Sequence, residues 1–229
     1  MSARTLFVTG TDTGVGKTRA AAALLHVARA HGHDAVGYKP VAAGCASTPD
    51  GWRNDDAEQL LAASGAGVGY ADVNPLALPA AIAPHLAARD LGLTIDPAAL
   101  DAGHARLAAA HARIVVEGAG GWRVPLNDRL DFADWVAGHR WPVVLVVGLR
   151  LGCLNHALLT AESVARRTTL AGWIANRLPP AQARWQDNLD ALQRRLPAPC
   201  LGLLPEHGDA ESNRRALDTE ATRTLLGPR

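Results

Sequence analysis

Six short apolar runs, each the length of a β-strand, alternate with stretches whose apolar residues recur at helical spacing. The runs are Thr5–Thr9, Ala35–Tyr38, Ile114–Glu117, Val143–Val147, Ala171–Ala175 and Leu201–Leu204. Several are continuously apolar, as strands buried on both faces of a parallel sheet are. Between them, Leu24, Val27 and Ala28 mark one apolar helix stripe, and Leu154, Leu158, Ala161 and Ala165 a second. Trp185, Leu189, Leu192 and Leu196 mark a third. Such stripes are core faces and carry no chemistry. The alternation predicts βαβ units, hence an α/β fold with a doubly wound, mainly parallel sheet flanked by helices on both faces. The Pro/Gly-rich part from Gly65 to Pro97 is the least regular and is expected to hold short helices and loops over one sheet edge.

Composition narrows the function classes. The chain has 229 residues and a formal net charge of +1, which argues against a nucleic acid as main partner, since such binders carry a basic excess or patch. Cys45, Cys153 and Cys200 are widely spaced, with no metal-ligand spacing. An odd count without a signal peptide suggests free thiols in a reducing compartment, so a cytoplasmic protein is expected. His31 and His33 fall where a helix should end, and a loop role suits them better than metal binding. No apolar run reaches the roughly 18 residues of a membrane helix, so no membrane partner is expected.

The chemistry starts at Gly10-Thr11-Asp12-Thr13-Gly14-Val15-Gly16-Lys17-Thr18, directly after Leu6-Phe7-Val8. Strand, glycine-rich loop and helix start in this order suit a nucleoside triphosphate. Loop N–H groups and the helix N-terminus face phosphates, Lys17 reaches the β/γ oxygens, and the Thr18 hydroxyl can ligate Mg²⁺. The loop departs from the strict phosphate-loop pattern, which places glycine where this chain has Thr11. In open α/β sheets, ligands bind beyond the carboxyl ends of the strands. After the second run, Lys39-Pro40 either points a cation into that crevice or is a surface loop. Arg53-Asn54-Asp55-Asp56 opens a helical stretch; its carboxylates are either helix-start charges or Mg²⁺ partners. After the third run, Glu117-Gly118-Ala119-Gly120-Gly121 places an acid at a buried strand end, a position that touches Mg²⁺ or its water, before a loop that lets backbone approach a reacting group. Gly152 to Asn155 offers free helix N–H groups to a second anion, a substrate carboxylate. Asn176 can donate and accept in one plane, as an adenine edge requires, or cap a turn. Arg177 follows it, and Pro205-Glu206-His207 ends at the same face.

Val8–Thr18, Gly37–Ala42, Arg53–Asp56, Val73–Pro75, Val116–Trp122, Phe132–Val136, Pro142–Gly148, Leu151–Ala157 and Leu170–Trp173, in this order through nearly the whole chain, resemble dethiobiotin synthetases. Each motif alone is shared with other phosphate-loop families; the combination is specific. The resemblance implies a homodimer of a single phosphate-loop domain, residues 1–229, that converts 7,8-diaminopelargonate, CO₂ and MgATP to dethiobiotin, ADP and phosphate. It implies Thr18, Asp56 and Glu117 as Mg²⁺ partners, with Asp55 the alternative to Asp56. Gly14, Val15, Gly16, Lys17, Gly118, Ala119, Gly120, Asn176, Arg177, Pro205, Glu206 and His207 would meet the nucleotide. Thr13 and Lys39 would hold a substrate carbamate, making Lys39, Lys17 and Thr13 the catalytic set. Ala43, Leu151, Gly152, Cys153, Leu154 and Asn155 would line the substrate site, the helix start being supplied across the dimer. Ala43 departs from the family, which often has serine there. A partitioning-type ATPase switch on the same fold is the rival reading. Such switches usually carry an extra lysine near the loop start, where this chain has Thr11.

Overall fold

The computed structural model describes residues 3–228. Strand β1 (Arg4–Gly10) leads through the glycine loop into helix α1 (Lys17–Ala30), and β2 (Ala35–Tyr38) follows. The chain then leaves the main sheet for β3 (Val41–Ala43), the hairpin of β4 (Ala46–Thr48) and β5 (Gly51–Arg53), α2 (Asp55–Ala63), α3 (Tyr70–Val73), β6 (Leu76–Leu78), α4 (Pro84–Asp90) and α5 (Pro97–Ala110). It returns at β7 (Arg113–Glu117) and continues through α6 (Phe132–His139), β8 (Val143–Leu149), α7 (Cys153–Ala165), β9 (Leu170–Arg177), α8 (Trp185–Arg195), β10 (Cys200–Leu204), α9 (Ala210–Leu217) and α10 (Glu220–Leu226).

The six strands expected from the apolar runs form one sheet in the order β10-β9-β8-β1-β7-β2, and every pairing in it is parallel. β8 is buried along its whole length and β1 along all but its first residue, which is why both read as unbroken apolar runs. Connections run to one side of β1 as far as β2 and then to the other side at β8. The crevice at this reversal opens beyond the end of β1, where the glycine loop begins. The irregular segment lies at the β2 edge, tied there by the Lys39 N–H donating to the Val73 carbonyl. It also contributes β6, which pairs with β3, a contact that runs of three residues did not announce.

Apolar packing explains the remaining architecture. Leu24, Val27 and Ala28 of α1 are buried against the sheet, as their spacing predicts. On the opposite face Phe7 meets Phe132, Trp135 and Trp122 at ring-centroid distances of 6.0, 6.5 and 6.1 Å. This cluster lies under the Glu117 loop. A Cβ added to Gly118 would come within 2.8 Å of Phe7 Cζ, so glycine lets that backbone settle on the ring. The stripe on α7 differs from its sequence reading. Cys153, Ala157, Ala161 and Val164 are its buried residues, with Leu154 and Leu158 packed alongside. Ala165 is exposed, because the face that meets the sheet runs through Cys153, Ala157, Ala161 and Val164, one residue before the predicted stripe except at Ala161. On α8, Leu192 is buried, as is Leu196 at the C-cap, and Trp185 and Leu189 pack against them.

Candidate active site

The glycine loop is built by two left-handed residues, Gly14 (φ 72°) and Gly16 (φ 91°). Val15 between them is fully buried and plugs the loop onto the sheet. Gly16 caps α1 without any side-chain hydrogen bond, and no acidic residue lies in the first turn. The first N–H groups and positive dipole end of α1 therefore face outward without a competing anion. Helix α2 is arranged differently: the Asn54 side chain accepts from the Asp56 N–H at 3.1 Å and serves as its cap. That leaves both Asp55 and Asp56 free of the capping role. Asp55 turns to solvent and Asp56 turns inward.

The ends of β2 and β7 and the starts of α1 and α2 meet at Lys39. Its Nζ donates to Asp56 Oδ2 at 2.8 Å and to Glu117 Oε1 at 2.6 Å. The Thr18 hydroxyl donates to the same Glu117 oxygen at 2.9 Å. Lys39 and Glu117 are both buried, which decides the question left open for Lys39: it is a crevice cation. Burial alone draws a lysine toward its neutral form, but Glu117 and Asp56 outweigh it and hold Lys39 above the usual lysine range. Burial likewise pushes Glu117 up, with Lys39 opposing. Burial also raises Asp56, but the charge and hydrogen bond of Lys39 more than reverse it and keep Asp56 ionised. Lys17 lies close by; burial lowers it, and its Nζ donates to the Asp12 carbonyl at 3.3 Å. The second oxygen of Glu117, Oε2, is buried without a hydrogen-bond partner.

These groups open into one cavity of about 690 Å³. Thr13, Gly14, Gly16, Lys17, Thr18, Lys39, Ala43, Asp56, Glu117, Ala119 and Gly120 all line it. So do residues that sequence reading did not select: Arg19, Asn54, Gln59, Ala81 to Pro84 and Val124. Arg19 was detectable in principle, since it follows Thr18 on the first turn. Ala81 to Pro84 carry no signal, being apolar residues without polar chemistry in an irregular stretch.

Other candidates stand outside this wall. Asn176 is 0% exposed; its Nδ2 donates to the Val15 carbonyl at 2.8 Å and its Oδ1 accepts from Arg19 at 3.0 Å. Arg177 donates to Glu206 at 3.1 Å, with His207 3.8 Å from the same carboxylate. The Pro205 carbonyl accepts from Arg19. The start of α7 lies beyond β8, with Gly152 left-handed and without a side-chain cap. Cys153 is buried there, Leu154 partly buried and Asn155 exposed, while Leu151 is 91% exposed. None of these four, nor Gly152, lines the cavity that holds Lys39. Arg150, just before them, is paired with Asp12 of the glycine loop.

The AAA domain family profile matches residues 4–214. The septum site-determining protein MinD of Pyrococcus horikoshii OT3, complexed with Mg-ADP, superimposes with a TM-score of 0.58 at 16% identity, covering 94% of this chain and 86% of that one. A ParA family ATPase of Chlorobium tepidum TLS superimposes with a TM-score of 0.56 at 16% identity, covering 94% and 90%. These likenesses establish a phosphate-loop NTPase fold. Sequence similarity is far higher elsewhere. The ATP-dependent dethiobiotin synthetase BioD of Xanthomonas oryzae pv. oryzae (strain PXO99A) is 52% identical over 211 residues, 92% of this chain and 94% of that protein. The corresponding protein of Aromatoleum aromaticum is 51% identical over 209 residues, 91% and 93% of the two chains. With half of its residues identical over nine-tenths of both lengths, this chain belongs to the ATP-dependent dethiobiotin synthetase family.

Proposed function

We propose that this protein closes the cyclic urea of dethiobiotin from 7,8-diaminopelargonate, CO₂ and ATP. The observation that carries the reading is Lys39, a buried cation between two carboxylates on the floor of a cavity that also holds Lys17 and Thr18. One substrate amine takes up CO₂ as a carbamate. The carbamate oxygen accepts the γ-phosphoryl group, releasing ADP. The neighbouring amine then attacks the carbamoyl carbon of the mixed anhydride and expels phosphate. Each step gathers negative charge between ATP and carbamate, where Lys17 and Lys39 neutralise it from two sides. Thr13, on the loop beside Lys17, holds the carbamate with Lys39. Gly14 to Gly16 and the α1 N-terminus cradle the phosphates, with Ala119 and Gly120 opposite.

Thr18, Asp56 and Glu117 suit Mg²⁺. They offer hard oxygen donors, and the unpartnered Oε2 of Glu117 supplies the free valence. No group of three or more His, Cys, Asp or Glu among the described residues is arranged to hold a metal by itself, so phosphate oxygens and water would complete the shell. Bound there, the ion would neutralise the β/γ-phosphate charge. The start of α7, with its uncapped N–H groups, would take the distal carboxylate of the substrate, supplied to the partner's cavity in a homodimer. That its residues do not line their own chain's Lys39 cavity, and that Leu151 (91%) and Leu159 (58%) are exposed, supports that arrangement. Asn176, Arg177, Pro205, Glu206 and His207 form the nucleobase side. Three free thiols fit a cytoplasmic setting, and among the described residues no helix is long and apolar enough to cross a membrane.

The direct test is incubation with MgATP, bicarbonate and the diamine, read by mass. Dethiobiotin is the expected product; its absence from folded, ATP-binding protein would remove the reading. A partitioning-type switch would hydrolyse ATP without forming it. Ala43 gives a finer test. It lines the cavity, and its carbonyl accepts from Asn54 Nδ2 at 3.4 Å. Ala43→Ser would restore the hydroxyl common in the family and should lower the KM for the diamine by about two- to tenfold, the worth of one net hydrogen bond. A rise would mean the pocket has been rebuilt around alanine.

A further inference from the structure

Asn176 has the planar donor–acceptor edge that suits adenine, yet it has no exposed surface. What reaches the cavity at that corner is Arg19, one residue beyond Thr18. Its Nη1 donates to Asn176 Oδ1 at 3.0 Å. Its Nη2 donates to the Pro205 carbonyl at 2.8 Å and to Asn213 Oδ1 at 2.7 Å. One guanidinium thus joins the phosphate-loop helix to the ends of β9 and β10 and to α9. The Asn176 amide is held in one orientation, with Nδ2 on the Val15 carbonyl and Oδ1 on Arg19.

We propose that Arg19 is a specificity-determining residue for the nucleotide, its guanidinium forming the wall against which the base lies while it fixes the amide orientation of Asn176. A guanidinium carries five N–H donors. Three are used in these bonds, leaving the Nε–H and one Nη1–H for a ring acceptor on the base. Its planar face also stacks on aromatic rings, which an alkyl-ammonium does not match. Held at three points, it is pre-organised, so little rotamer freedom is lost on binding. The inference rests on the reading of Gly10 to Thr18 as a phosphate cradle and adds the base to it.

Calorimetric titration with MgATP, MgGTP, MgCTP, MgUTP and inorganic tripolyphosphate separates the two readings, because it does not depend on turnover. Arg19→Ala should weaken ATP binding about tenfold or more, the worth of one charge-assisted contact, and bring the four nucleotides close to one another. Tripolyphosphate affinity should stay within about twofold, since the loop itself is untouched. Arg19→Lys keeps the charge but not the planar fork and should fail to restore selectivity. In steady state, KM for ATP should rise while kcat holds. Asn213→Ala, which removes one anchor, should shift selectivity in the same direction by less and serves if Arg19→Ala does not fold. Unchanged selectivity in Arg19→Ala, or equal losses for tripolyphosphate and ATP, would overturn the inference alone. A wild-type protein that binds neither would overturn the cradle and the inference together.

Discussion

Lys39→Ala is expected to lower the turnover of dethiobiotin formation by about a thousandfold, while changing ATP affinity no more than about threefold. In the proposed reaction the triphosphate would have Lys17 and the α1 N-terminus, whereas the carbamate would depend on Lys39. The substitution also alters the carboxylates it leaves. Removing one member of a buried ion pair costs about 3–5 kcal/mol if the other charge is retained. Glu117 already has its carboxyl raised by burial, with Lys39 opposing; without Lys39 it should be raised further. A carboxyl whose folded pKa exceeds its unfolded value contributes stability below the unfolded value and loses it as pH climbs through the folded one. The melting temperature of Lys39→Ala should therefore fall as pH rises above about 4.3, more steeply than that of the parent protein. Adding Glu117→Gln should flatten the pH dependence without restoring turnover. A turnover number equal to the parent's would refute the role given to Lys39.

Gly16→Ala is expected to lose ATP binding by about a hundredfold, and Gly14→Ala by less than about tenfold. Both glycines are left-handed, at φ 91° and 72°, so each substitution carries backbone strain of about 1–2 kcal/mol. Their surroundings differ. A Cβ on Gly14 would meet nothing within 4 Å. A Cβ on Gly16 would lie 2.1 Å from Asn176 Nδ2, and Asn176 could yield only by breaking its 2.8 Å bond to the Val15 carbonyl. The loop would then lose its tie to β9 and with it the alignment of its N–H groups. Titration with MgATP and a thermal melt of the two variants provide the comparison. Equal losses would show that strain alone, and not the close approach to Asn176, sets the requirement for glycine.

Much of this molecule is local chemistry and was legible in the chain. Each of the six strands of the main sheet has an apolar middle, and turn residues follow each of them, so their positions and the α/β class follow from residues close in sequence. The glycine loop is equally local, because left-handed backbone at Gly14 and Gly16 is a property of those residues. The order of motifs along the chain pointed to the dethiobiotin synthetase family, to which half of the residues testify directly. Tertiary structure decided everything that depends on which strand lies beside which. Thr18 and Glu117 are 99 positions apart and share one hydrogen bond because β1 and β7 are neighbours. Asp56 joins Lys39 and Asp55 does not, since adjacent residues of α2 point about 100° apart and Asn54 takes the cap. Ala81 to Pro84 reach the cavity wall by the packing of an irregular segment, with no period to betray them. The covering of Asn176 by Arg19 spans 157 positions. No local pattern encodes such a contact, because its energy exists only after the sheet has brought α1 and β9 together.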